Sequence, residues 1–230
     1  MGEQKMALTG IHHAAFISND MKAQIEFYTQ VLGMKLVGIF PMHGVPGASH
    51  CFIEAGKDSY VSFVQIQDVH VDPVYGVSHA VDSAHPVAGG AMQHMAFNCD
   101  SMEEMLALRD RLRSNGYAVF GPLEHGMSYS MYFGGPEGML LEYATTDQCD
   151  PVRAEDWVDY ETAEALGMSQ SDVARYVNPP AFEGKGGAVP QPPLDSAIYP
   201  TPIPREMYDA LGHLSDEELK EAMRFEAPAE

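Results

Sequence analysis

The feature that most constrains this chain is a segment that occurs twice. Residues 13–20 read His-Ala-Ala-Phe-Ile-Ser-Asn-Asp and residues 94–100 read His-Met-Ala-Phe-Asn-Cys-Asp, with the two histidines 81 positions apart. Each copy opens on His, continues through apolar residues of strand character and ends at an Asx-rich helix start. An amphipathic helix follows in each. In the first, Met21, Ile25, Tyr28 and Leu32 lie at helical spacing and Gly33 ends the run. In the second, Met102, Met105, Leu106, Leu108 and Leu112 supply the apolar side and Gly116 ends it. Each glycine is followed by a β-like run, 34–40 and 117–120, and then by two more strand candidates: 49–54 and 60–67 in the first copy, 128–133 and 139–143 in the second. The turns between these strands, such as Gly-Gly-Pro-Glu-Gly at 134–138, are too short for crossover helices. That argues against a doubly wound parallel sheet. The predicted fold is α+β: two βαβββ modules, about 8–70 and 90–146, forming a shared curved mixed sheet around a cleft, followed by a C-terminal extension.

Two modules related by a pseudo-twofold axis bring matching residues to face each other across such a cleft. His13 and His94 hold matching positions. Two imidazoles and one carboxylate on one face of a metal leave positions open for substrate and oxygen. The carboxylate available is Glu142, in Met-Leu-Leu-Glu-Tyr on the last strand, with Leu141 and Tyr143 facing the other way. The predicted metal ligands are therefore His13, His94 and Glu142. His12 should face the opposite side of the strand and be structural. His43, His50, His70, His79 and His85 read as residues of loops or strand edges.

At these residues the chain resembles the vicinal oxygen chelate superfamily, which includes glyoxalase I, bleomycin-resistance proteins and extradiol ring-cleaving dioxygenases. The phrase Phe-Tyr-Thr-Gln-Val-Leu-Gly-Met-Lys-Leu-Val at 27–37 is typical of a first module, and Pro-Glu-Gly-Met-Leu-Leu-Glu-Tyr-Ala at 136–144 of the end of a second. The resemblance covers about residues 8–146. Within the superfamily the His, His and Glu placement is similar to that of one-domain type I extradiol dioxygenases. So is the order His125, Met131-Tyr132, Gly135-Pro136, Gly138, Glu142. Two positions depart from the usual signature, Leu123 and Gly135. The first module also carries Asp58 or Ser59 where two-domain extradiol enzymes place a second active-site His, and His50 does not align there. The resemblance implies Fe(II), or Mn(II) or another divalent metal, a small catechol-like aromatic and O2 as substrates, His125 as acid/base and Tyr132 as a hydrogen-bonding partner of the substrate. Other readings within the superfamily are a glyoxalase-like isomerase or lyase and a small-molecule-binding resistance protein. Glyoxalase I takes four ligands, two from each module. Here the end of the first module offers only Gln65, out of register with Glu142.

Composition closes off other classes. The 230 residues are 45% hydrophobic, enough for a sizeable core. A net charge of −20 repels phosphate backbones and anionic lipid, so neither nucleic acid nor membrane is an expected partner. Three cysteines, Cys51, Cys99 and Cys149, form no CxxC pair and read as buried free thiols of a reducing compartment. No signal peptide is read at the start, so the expected location is cytoplasmic. The paired modules are assigned to 1–149 and an acidic, Pro-rich extension to 150–230. Residues 151–230 hold 16 of the 33 acidic residues and 6 of the 13 basic ones. Residues 178–204 concentrate prolines and favour extended polyproline-like structure. Two short helices should flank this stretch, one over 153–166 and one opening at Ser215 with a capping box to Glu218. The extension reads either as an arm that wraps the core or a partner subunit of a homo-oligomer, which the aromatics Trp157, Tyr160, Tyr176, Phe182, Tyr199 and Tyr208 favour, or as a mostly disordered acidic tail.

Overall fold

The structure, a computed structural model, describes residues 8–181, 189–190, 192–193 and 203–227. The duplicated unit is present twice. The first module runs β1 (His13–Ile17), α1 (Met21–Glu26), β2 (Lys35–Pro41), β3 (Ala48–Gly56) and β4 (Ser59–Ile66), with a π-helical turn Phe27–Val31 continuing α1. The second runs β5 (Met95–Asn98), α2 (Met102–Ser114), β6 (Val119–Glu124), β7 (Tyr129–Gly134) and β8 (Leu140–Thr145). Each forms a four-stranded mixed sheet with matching strand order, β1-β4-β3-β2 and β5-β8-β7-β6. The first strand of each lies parallel to the last, and the remaining pairs are antiparallel. Among the described residues no backbone ladder joins the two sheets, so the modules meet through side chains and turns.

Local chemistry explains the helix boundaries. Asp20 caps α1 through Ala23 N–H at 3.0 Å, and Ser101 caps α2 through Glu104 N–H at 3.2 Å. Glu103 and Glu104 fill the first turn of α2, and Arg111 and Arg113 its last, which complements the helix dipole. Gly33 ends the first helical run with φ +82°, and a Cβ there would stand 2.7 Å from the Arg111 guanidinium. That guanidinium donates to the main-chain oxygens of Val31 (2.6 Å) and Gln30 (3.0 Å), so the second helix caps the end of the first.

One apolar core serves both modules. Tyr28, Phe63, Ile53 and Val61 from the first pack in the same cluster as Met105, Leu112, Met131 and Leu141 from the second. Tyr28 is fully buried, with its ring 5.3 Å from Phe63 and 6.2 Å from Phe97, and its hydroxyl approaches Met139 Sδ at 3.9 Å. Burial pushes its phenol far above the ordinary range. A polar clasp reinforces the junction. Glu137, in the turn before β8 with φ +56°, accepts from Ser18 Oγ (2.6 Å), Asn19 N–H (2.6 Å) and Gln24 Nε2 (2.7 Å). Burial pushes its carboxyl up, but the hydrogen bonds from Ser18, Gln24 and Asn19 outweigh burial and hold it below its ordinary value.

The extension differs in detail from its sequence reading. The helix expected over 153–166 is split into α3 (Ala154–Trp157) and α4 (Tyr160–Ala165), because Asp159 adopts an extended conformation and caps α4 through Thr162 N–H at 2.6 Å. Two helices were not anticipated, α5 (Gln170–Val177) and α6 (Arg205–Leu211). The last, α7 (Asp216–Ala222), has the predicted capping box between Ser215 and Glu218. Compact units divide at 177/178, so 154–177 cluster with the paired modules. The aromatics are not what is buried in that stretch. Trp157, Tyr160 and Tyr176 are exposed, while Ala163 and Val173 are buried. In the second unit, Tyr208 donates to the Pro192 oxygen at 2.6 Å. Most of the Pro-rich segment, with Phe182 and Tyr199, lies outside the described residues. Cys51 and Cys99 are buried free thiols, whereas Cys149 is only half-buried. No described helix is long and apolar enough to cross a membrane.

Candidate metal centre

The strand registers decide which residues share the open face of each sheet, since side chains alternate along a strand. In the second module Ala96 pairs with Glu142 across β5–β8, and Glu142 pairs with Tyr132 across β8–β7. His94 stands just ahead of β5, and its contacts with Glu142 and Tyr132 place it on the same face. The opposite face carries Phe97, Leu141, Tyr143, Met131 and Phe133, all in the core. Alternation thus holds Glu142 on the open face while its neighbours anchor the strand.

His94 Nε2 lies 2.9 Å from Glu142 Oε2. The Glu142 side chain is only 6% exposed, and a carboxylate that buried requires a compensating positive partner. The His94 and Tyr132 rings are 5.8 Å apart in an edge-to-face arrangement. Tyr132 in turn places its hydroxyl 3.5 Å from His125 Nε2. Burial, and next the Glu142 charge, push the Tyr132 phenol up. Four of the five site residues predicted from the sequence, His94, Glu142, Tyr132 and His125, therefore form one connected cluster.

His13, the fifth, occupies the matching place in the first module. Its pair across β1–β4 is Tyr60, so Ala15 pairs with Ser62 just as Ala96 pairs with Glu142. His13 contacts His12, whose Nδ1 is 2.9 Å from His13 Nδ1, and the Phe52 ring at 5.6 Å. Among the described residues no three His, Cys, Asp or Glu side chains converge on one point, so the structure does not bring His13 to His94 and Glu142. His12 departs from its expected place. It precedes β1, where strand alternation does not apply, and its ring sits beside His13 and Tyr60.

Two further residues were missed by the sequence reading. His50 lies in β3, within the strand expected over 49–54, on the same open face as His13. Its Nε2 is 2.5 Å from the fully buried Ser62 hydroxyl, and its ring packs between Phe40 (5.6 Å) and Phe52 (4.6 Å). Burial, and then the nearby His13, lower its pKa. The remaining histidines are in loops as expected; His70 and His85 pair with Asp72 and Asp82. The other missed residue is Gln93, whose side-chain oxygen faces His94 Nδ1. Alternation in β3 carried the signal for His50; nothing local marked Gln93.

Donor chemistry tests whether these residues fit a divalent ion. Two ligands at right angles with bonds of about 2.1 Å stand about 3.0 Å apart. The His94–Glu142 separation of 2.9 Å fits that spacing. His94 also lies between two acceptor oxygens, those of Gln93 and Glu142, an arrangement satisfied either by a second ring proton or by a cation between Nε2 and Glu142. The His94–Glu142 pair fits, and His13, of matching donor type, stands apart from it.

The chain matches the profile of the Glyoxalase/Bleomycin resistance protein/Dioxygenase superfamily over residues 10–143. Among curated proteins it is similar to biphenyl-2,3-diol 1,2-dioxygenase 2 of Rhodococcus globerulus, with 25% identity over 142 residues, 62% of this chain and 65% of that protein. The chain thus spans slightly less than two thirds of that relative's length. It is also similar to biphenyl-2,3-diol 1,2-dioxygenase 3 of the same organism, with 21% identity over 164 residues, 70% of this chain and 77% of that protein. Among solved structures, a glyoxylase/bleomycin resistance protein/dioxygenase domain from Frankia sp. EAN1pec aligns over 61% of this chain and 99% of its own, with 18% identity and a TM-score of 0.48. The profile match runs from the strand that carries His13 to the strand that carries Glu142, more than half of the chain, and on that extent the chain belongs to the Glyoxalase/Bleomycin resistance protein/Dioxygenase superfamily.

Proposed function

We propose that the chain is a metal-dependent extradiol-type dioxygenase that opens a catechol-like aromatic ring with O2, using Fe(II). The observation that carries this reading is the chain of contacts from His125 through Tyr132 to Glu142 and His94. His125 Nε2 lies 3.5 Å from the Tyr132 hydroxyl, Tyr132 is the cross-strand partner of Glu142, and Glu142 lies 2.9 Å from His94. A proton-carrying pair thus stands beside a ligand pair. The similarity to two biphenyl-2,3-diol dioxygenases supports the same reading.

His13, His94 and Glu142 would hold the ion, which when bound lowers the pKa of a catechol hydroxyl and leaves neighbouring positions for the diol and O2. The remaining work falls to side chains. The Tyr132 hydroxyl orients the diol by hydrogen bonding. His125, exposed at the entrance to the β7–β8 hairpin, takes the proton released by the substrate hydroxyl and returns one to an oxygen as the ring opens. Phe40 and Phe52, with rings 6.0 Å apart and stacked, offer the aromatic substrate an apolar wall on the first module.

Anaerobic reconstitution with Fe(II), followed by oxygen-uptake measurements with a panel of catechols, tests the proposal. The expected result is oxygen consumption with formation of a coloured ring-opened product. No uptake across the panel, with turnover of a dicarbonyl–thiol adduct, replaces it with a glyoxalase-like isomerase.

A further inference from the structure

The linker between the modules ends on Gln93, and this side chain is held at both ends. Its Nε2 donates to the main-chain oxygens of Asp82 at 3.2 Å and His85 at 3.5 Å. Carbonyl oxygens only accept, so the amino group must face the loop and Oε1 must point the other way. Oε1 faces His94 Nδ1. Since Oε1 also only accepts, Nδ1 carries the proton. The loop is itself well tied. The Asp82 carboxylate accepts from Ala84 N–H (2.8 Å) and His85 N–H (3.1 Å) and pairs with the His85 ring at 2.7 Å. A continuous path therefore runs from loop 82–85 through the Gln93 amide to His94, and on from His94 Nε2 to Glu142.

We propose that Gln93 is a positioning residue for the metal centre. Through loop 82–85 it fixes the tautomer and ring orientation of His94, so that Nε2 presents its lone pair to a divalent ion shared with Glu142. The assignment rests on the proposed role of His94 and Glu142 as ligands. Its physical basis is general: a ligating histidine donates its other N–H to a fixed acceptor, and removing that acceptor costs about 10–100-fold in metal affinity. The first module lacks the device. There His13 Nδ1 meets the ring of its exposed neighbour His12, which no loop among the described residues holds in the same way. The two candidate ligand histidines are thus supported unequally, and the inter-module linker supports the one that touches the carboxylate.

Gln93→Ala and Gln93→Glu test the proposal in the full chain, with Co(II) as probe ion and no substrate present. Cobalt affinity is read by visible absorption. The proton position on the His94 ring is read by nitrogen NMR in metal-free protein, above the pH at which the ring is charged. The expected wild-type state has the proton on Nδ1. Gln93→Ala should lose that preference and bind cobalt about 10–100-fold more weakly, while Gln93→Glu, which keeps an acceptor oxygen but can no longer donate to loop 82–85, restores the Nδ1 proton. A purely structural role would leave the ring tautomer unmoved. Unchanged tautomer and cobalt affinity in Gln93→Ala overturn the proposal, as does a wild-type ring protonated on Nε2. A wild-type chain that keeps the Nδ1 proton yet takes no cobalt upholds the anchoring by Gln93 and removes the metal centre it was proposed to serve.

Discussion

The open faces of the two sheets share a framework and differ in chemistry. His13 matches His94, Ser62 matches Glu142, Phe52 matches Tyr132 and His50 matches Ser130 through equivalent registers. The second module presents a carboxylate, a phenol and a histidine in contact with one another. The first presents a serine bonded to a histidine between two phenylalanines. A repeated backbone therefore places a histidine at the same position twice, but only one copy sets a carboxylate against it. In the proposed function the other copy would supply one donor and an aromatic wall, so that two unlike faces would serve one centre.

The sharpest way to break this comparison is to exchange its key contrast. Glu142→Ala should abolish metal occupancy, measured by elemental analysis after anaerobic loading, because a site with two neutral imidazoles holds a divalent ion poorly. His13→Ala and His94→Ala should do the same, and Ser62→Ala should leave occupancy unchanged. Full occupancy in Glu142→Ala would falsify the assignment of the second module as the ligand-bearing one.

The next largest effect concerns turnover. His125→Asn should retain iron and bind substrate yet lose activity by about 10²–10⁴-fold, the usual contribution of a positioned acid/base. Steady-state kinetics beside an iron assay decides this. Near-normal turnover makes His125 a bystander, and loss of iron makes it a ligand.

A smaller effect tests how the modules are joined. Glu137→Ala leaves the buried Ser18 and Gln24 groups without their acceptor and should cost about 1–3 kcal/mol in denaturant unfolding. The pH dependence has a definite sign. The folded carboxyl lies below the ordinary glutamate value of 4.5, so the unfolded chain takes up its proton first. The clasp therefore contributes fully above that value and is lost as pH falls through the lower folded one. In acid, wild-type and Glu137→Gln stabilities should converge; a gap that widens below pH 4.5 contradicts the clasp.

The smallest effect should come from Ser62→Ala, which frees His50 from its hydroxyl partner. Thermal unfolding should shift by no more than about 1 kcal/mol in stability. A larger loss would mean that the first module's polar pair is as structural as the second module's carboxylate.

Much of this was legible in the residues. The helix from Met21 ended at Gly33, the helix from Met102 at Gly116, and the box at Ser215 capped its helix as written. Apolar spacing and caps act within a few residues, so they survive without tertiary context. Alternation in Leu-Glu-Tyr at 141–143 likewise settled which way Glu142 faces. His50 lay inside the strand expected over 49–54, but its place beside Ser62 and His13 depends on ladders with β2 and β4, which no short window contains. The helix over 153–166 broke at Asp159 because a capping side chain competed with continued winding.

The sequence alone determined the duplicated α+β unit, the matched histidines and the order of His125, Tyr132 and Glu142, since these rest on periodicity and on local turn chemistry. Tertiary structure alone decided three things: Ser62 holds the register position in the first module that Glu142 holds in the second, Glu137 clasps the first helix, and Gln93 faces His94. Each joins residues distant in the chain, or depends on a loop that a distant contact holds. The energy of such a contact exists only after the chain has closed, so no stretch of residues read by itself records it.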